Sequence, residues 1–239
     1  MAEWVAKRFW KEARVASTET GFEVRLDDRP VKTPAKALLE LPTLEMAQAV
    51  VNEWDAQDEK IDPLTMPITR GANAAIDKVD PQFAEVAEIV AAYGESDLLC
   101  YRAEGPAPLI QRQADAWDPL LDWAASGINA PLAVTTGVVP VDQPAAAVAA
   151  LRAQVMALSP FELTAISDLV ALSGSLVIGL AAARDVLPIE DLWARSRVDE
   201  SWQIEQWGKD DEATAVASRK EQDFYQAKRF LRLARKNAS

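Results

Sequence analysis

The residues of this sequence that could do chemistry are mostly carboxylates. Asp97, Asp115, Asp118 and Asp122 lie close together, and Asp118 and Asp122 are four residues apart. On a helix that spacing puts both on one face, where two Asp could hold a hard cation such as Mg2+. With Asp97 and Glu200, these residues would suit a divalent-metal-dependent enzyme. The plainer interpretation is a solvated acidic face, because the run lacks the glycine-turned loop of an EF-hand. Other chemistries lack their parts. The chain has no histidine and one cysteine, Cys100. A Ser–His–Asp triad therefore has no base, a zinc site has no ligand set, and no intrachain disulfide can form. Cys100 sits in the apolar run Leu98-Leu99-Cys100-Tyr101 and reads as a small buried thiol. Neither G-x-x-x-x-G-K-[ST] nor G-x-G-x-x-G occurs among the nine scattered glycines.

The densest unusual cluster is Val198-Asp199-Glu200-Ser201-Trp202-Gln203-Ile204-Glu205-Gln206-Trp207-Gly208. As a helix it places Glu200, Ile204 and Trp207 on one stripe, and Val198, Trp202 and Glu205 on the next. Tryptophans among carboxylates are core anchors with acids facing water, or a surface for recognising a protein, since Trp is enriched at interface hot spots, or the setting of two carboxylates acting as an acid/base pair. A second cluster is Asn52-Glu53-Trp54-Asp55-Ala56-Gln57, followed by Ile61-Asp62-Pro63-Leu64-Thr65-Met66-Pro67. There Trp54 is expected to pack a helical layer against strands.

The elements that must position these clusters follow from periodicity. Phe22-Glu23-Val24-Arg25-Leu26 alternates as a half-buried strand, and Asp27-Asp28-Arg29-Pro30 supplies a turn. Further strands are expected over Phe9 to Val15, Val31 to Pro34 and Leu38 to Leu41. This makes a small antiparallel β-meander, which needs a helical layer to be stable. After Pro42 the spacing turns helical. Thr43 is placed to cap a helix carrying Leu44, Ala47, Val50, Val51 and Trp54. Two prolines, Pro63 and Pro67, interrupt it, and helices are expected over Thr69 to Val79 and from Pro81 to Gly94. Leu109 to Ala125 reads as a helix kinked or broken at Pro119. The β-branched run Leu132 to Val141 suggests one more strand or extended segment. From Gln143 the chain reads as helical, with breaks at Ser159-Pro160, Ser173-Gly174, Leu187-Pro188 and Gly208. The fold class is α+β: a β-rich N-terminal domain over 1–42, or reaching about 65, then a mainly α-helical domain over 43–239.

Composition narrows the partners. The 239 residues carry a formal net charge of −12, which argues against nucleic acid and anionic membrane. The C-terminal end runs the other way, with Arg219, Lys220, Lys228, Arg229, Arg232, Arg235 and Lys236. The longest apolar stretch, near Leu169 to Ala183, is too short and interrupted to span a bilayer. Met1-Ala2-Glu3-Trp4 lacks the basic start and apolar core of a secretory leader. A soluble, cytoplasmic protein is expected.

The pieces, in order, resemble the F-type ATP synthase assembly factor 2 family. They are Lys7-Arg8-Phe9-Trp10-Lys11, Leu26 to Pro34, Glu53-Trp54-Asp55-Ala56-Gln57, Met66-Pro67, Asp97 to Arg102, Gln113 with Trp117-Asp118-Pro119-Leu120-Leu121, Gly174-Ser175-Leu176 and Asp199 to Gly208. The resemblance spans nearly the whole chain. It implies a small β-rich domain followed by a larger helical one, and a chaperone that shields the unassembled α subunit of the synthase until the head assembles. No catalytic residue, cofactor or metal is implied. Trp54, Asp55, Trp117 and Asp118 are expected to hold the fold. Asp199, Glu200, Glu205, Trp202 and Trp207 are expected to meet the partner. A bacterial, monomeric member is expected. The competing readings are the metal-dependent enzyme above and an interaction module for another client.

Overall fold

The computed structural model describes residues 7–235. Met1 to Trp4, read above for a leader, and Lys236 of the basic run lie outside the described residues. The protein is α+β, with a small antiparallel sheet followed by helices. β1 (Ala13–Ser17) and β2 (Phe22–Leu26) pair with Val15 opposite Val24. β3 (Arg29–Pro30) and β4 (Glu40–Leu41) share the other edge of β2. Asp27, in the tight turn, adopts a left-handed backbone with φ of 54°. Asp tolerates that region better than most residues. Its carboxylate accepts the N–H groups of Lys11 and Glu12, which lowers its pKa.

Val24, Leu26 and Leu41 turn one sheet face inward, and α1 (Leu44–Asp55) covers it with Met46, Ala47, Val50 and Val51. Thr43 starts α1 as the spacing predicts: its hydroxyl accepts the Met46 N–H at 3.0 Å. The two prolines do interrupt the helix. A 3-10 turn, Pro63–Thr65, precedes α2 (Pro67–Ala74), which continues as a π turn over Ala75–Val79.

The chain forms two compact units. The first runs to Phe83 and includes Ser159–Ala165 and the residues from Arg229. Within it, Phe161 stacks on Phe230 at 6.2 Å. A Cβ on Gly71 would lie 2.6 Å from the Phe230 ring, so α2 can come this close only with glycine.

The second unit comprises Ala84–Leu158 and Ile166–Lys228. It holds α3 (Phe83–Ala91) from Ala84 onward, α4 (Ala107–Gly127), α5 (Ala145–Met156), most of α6 (Pro160–Ser173), α7 (Leu176–Ala183), α8 (Ile189–Ser196), α9 (Val198–Trp207) and the larger part of α10 (Asp211–Ala234). All eight residues of α7 are buried, so the apolar stretch read at Leu169 to Ala183 is core. No helix among the described residues is long and apolar enough to cross a membrane.

Two expectations that left alternatives open are narrowed here. α4 is not broken at Pro119 but runs through it. Proline withholds the N–H that would bond the Asp115 carbonyl. The Arg195 guanidinium supplies the replacement, donating to Asp115 O at 3.4 Å and to Ala116 O. Leu132 to Val141 is not a full strand. Only β6 (Thr135–Thr136) pairs, in parallel, with the equally short β5 (Tyr101–Arg102), and Val138 and Val139 stand in solvent.

Candidate partner-binding surface

The family-like motifs divide into residues occupied inside the molecule and residues left facing water. Asp97 is fully buried at the start of α7. Its carboxylate accepts the N–H groups of Leu99 at 3.1 Å and Val177 at 3.0 Å. It also accepts the Ser175 hydroxyl. Burial outweighs these donors and pushes its pKa up to about 6. Burial likewise raises the Cys100 thiol to about 12, leaving it inert. Arg102 donates to Asp118 at 2.7 Å and lies over the Trp117 ring at 5.3 Å. The Trp117 indole donates to the Arg195 carbonyl at 2.7 Å. Asp97, Asp118 and Glu200 thus each answer to a different partner. Among the described residues no group of three Asp, Glu, His or Cys is arranged to hold a metal ion.

In the other unit, the Glu-Trp-Asp cluster is a joint. Glu53 was not singled out by sequence reasoning, yet it caps α2. Its two oxygens accept the N–H groups of Ile68 and Thr69 and the Thr69 hydroxyl, each at 2.7 Å. No local signal marked it, because the N–H groups it accepts lie 15 and 16 residues away in sequence. Trp54 meets Trp10 edge-on at 5.2 Å. Asp55 accepts the Ala13 N–H at 3.2 Å, and Arg8 donates to the carbonyls of Asp55 and Gln57.

On α9 the two stripes part as the spacing predicts. Val198 is buried and Trp202 half-buried. Arg112 reaches across from α4, lying over the Trp202 ring at 5.1 Å and gripping Glu205 with two bonds of 2.7 and 2.9 Å. The hydrogen bond from Arg112 holds the Glu205 carboxyl below its ordinary range. Asp199 accepts Gln113 at 2.6 Å, and Glu200 pairs with Arg197 at 2.8 Å. The outer stripe of Glu200, Ile204 and Trp207 faces water, with Trp207 79% exposed. Gly208, at φ of 89°, ends the helix. Beyond it Asp211 to Lys220 are all exposed. A cavity of about 450 Å3 opens here, lined by Trp193, Arg197, Glu200, Val216, Ala217 and Lys220 among others. Sequence reasoning missed Trp193 and the start of α10. No nucleophile faces a base in this surface. It offers aromatic area, acids and an apolar recess, the features from which a recognition surface is built.

Comparison with known proteins gives the class of this protein. Residues 7–125 match the family model of the ATP12 chaperone protein. The structure is similar to the crystal structure of Atp12 from Paracoccus denitrificans, with a TM-score of 0.95 and 48% identity over 98% of this chain and 100% of that one. An Asp-to-Lys mutant of the Paracoccus protein is as similar, with a TM-score of 0.95, 47% identity and the same coverage. A chaperone candidate from Agrobacterium tumefaciens has a TM-score of 0.91 and 39% identity over 97% of this chain and 87% of that one. The chain belongs to the ATP12 chaperone family, as the ordered motifs suggested.

Proposed function

We propose that this chaperone binds the unassembled α subunit of F-type ATP synthase and shields its interface until the catalytic head assembles. An unassembled subunit exposes apolar surface that aggregates unless covered. A reversible binder answers that need without hydrolysing nucleotide, so the protein acts without catalysis or cofactor. It works as a monomer in the bacterial cytoplasm. The partner is met by α9, through Asp199, Glu200, Trp202, Glu205 and Trp207. The observation that supports this surface is Trp207: a large apolar ring held 79% exposed on a well-formed helix, beside Ile204 at 39%. Large exposed aromatics mark interaction sites more often than they mark ordinary surface.

The test is size-exclusion chromatography with light scattering, using isolated α subunit from the same organism. Isolated β subunit and assembled head serve as comparators. A one-to-one complex with α, dissolved by added β, is expected. Absence of a complex while α stays folded would refute the reading.

A further inference from the structure

The exposed beginning of α10 carries information that the α9 stripe does not. Ala213, Val216, Ala217, Lys220 and Phe224 are spaced 3, 1, 3 and 4 residues apart, a single helical stripe. At Phe224 the stripe is fully buried, against Trp193 at 5.4 Å. Over Ala213 to Lys220 the same stripe lines the open 450 Å3 cavity. A core-facing stripe thus continues beyond the core. Ala213 and Ala217 keep the wall low, Val216 stays 40% exposed, and Trp193 forms an apolar back. The rim is acidic toward the α9–α10 junction, with Glu200, Asp210 and Glu212 lining the cavity and Asp211 adjacent. Asp210 caps α10 through the Ala213 N–H at 2.7 Å, and Glu200 is paired with Arg197. The Asp211 and Glu212 side chains have no hydrogen-bond or ion-pair partner among the described residues, while Arg197 is tied to Glu200 and to the carbonyls of Leu172 and Ser173.

We propose that this groove is the seat of an amphipathic helical segment of the client, placing an apolar side chain over Trp193, Val216 and Ala217 and a Lys or Arg against Asp211 and Glu212. This deepens the client-binding reading and rests on it. Two helical walls with an apolar floor suit a helix laid lengthwise. The unpaired acids supply the charge complementarity that selects a basic segment and steers its approach. The start of α10 then serves as one jaw of the binding site, with Glu200 of α9 on the opposite wall.

The test uses the full chain and isolated α subunit. Ala217→Trp fills the groove without adding charge, and Glu212→Lys reverses the rim. Both positions are exposed, so circular dichroism and the unfolding midpoint should match the wild type. Affinity for α should fall about tenfold or more in Ala217→Trp and severalfold in Glu212→Lys, with only the Glu212→Lys loss shrinking in high salt. A photo-crosslinker at position 216 should capture α, and one at position 138 should not. Wild-type affinity in Ala217→Trp together with no crosslink from position 216 would overturn the groove while leaving the chaperone reading intact. Failure of the wild type to bind α would remove that reading and the groove's occupant together. Self-association of the wild type that Ala217→Trp abolishes would assign the groove to a second copy of the chain and overturn the proposal.

Discussion

Two tryptophan-and-acid clusters look alike in this sequence and are used in opposite ways. In Glu53-Trp54-Asp55 both carboxylates accept backbone N–H groups, and the ring lies edge-on to Trp10. In Asp199 to Trp207 the acids bond to side chains from α4 or from the end of α8, and the last ring stands in water. The difference lies in what surrounds each cluster. The first is followed by a proline-started helix whose N–H groups need an acceptor, which Glu53 supplies. The second ends at Gly208, with the next helix beginning in solvent. Carboxylates beside tryptophan therefore have no fixed meaning. Unsatisfied backbone donors nearby draw them inward, and their absence leaves them for side chains and partners.

Substitutions can break or sharpen this contrast. Trp54→Ala should have the largest effect on stability, about 3 kcal/mol by urea unfolding, because it opens a cavity against Trp10. Trp207→Ala, by contrast, should leave the unfolding midpoint unchanged and weaken binding of α. Comparable destabilisation by the two would erase the distinction.

Asp97 gives the next effect, and it depends on pH. Its folded pKa of about 6 exceeds its ordinary 3.8, so the folded protein holds this proton more tightly than the unfolded chain. The contribution is fully present below about pH 3.8 and is lost as pH rises to about 6, a change on the order of a few kcal/mol. Asp97→Asn removes the titration. The free energy of the wild type relative to this variant should fall across that window, and a flat difference would contradict the assignment. Glu162 acts in the opposite sense. Burial raises its pKa, but donors from Ser159 and Arg235 outweigh burial and leave it lowered, so its contribution is lost on acidification.

Glu53→Ala should cost about 2 kcal/mol, since it leaves the first N–H groups of α2 without their acceptor. Hydrogen exchange at Ile68 and Thr69 should accelerate locally. The smallest stability effect belongs to Glu205→Gln. Its pair with Arg112 is exposed, and exposed pairs contribute little. No shift in unfolding midpoint is expected, but binding of α should weaken. A large loss of stability would move Glu205 into the class of Glu53.

Much of the helical half was legible because breaks are local events. Ser159-Pro160, Ser173-Gly174, Leu187-Pro188 and Gly208 all end or separate helices, since each prevents continuation whatever surrounds it. A further break at Arg197, between α8 and α9, carries no proline or glycine and was not anticipated. At Pro119 the break does not occur, for the opposite reason. The group that rescues its helix is Arg195, 79 residues from Ala116 in sequence. Leu132 to Val141 has strand-forming residues, but a strand needs a partner, and the structure offers only Tyr101 and Arg102.

By itself the sequence determined the α+β class, the helical register of α9 and the family, because each is carried by short-range spacing or by motifs in order. The stripe of Glu200, Ile204 and Trp207 follows from 3.6 residues per turn alone. Tertiary structure decided which carboxylates are occupied: Asp97 by the start of α7, Glu53 by the start of α2, Glu205 by Arg112. It also decided that the inward stripe of α10 runs out of core before Lys220. The physical reason is common to both. A polar group's fate depends on the donor that reaches it, and an apolar stripe's fate on the surface that meets it. In folded chains both partners come from distant sequence.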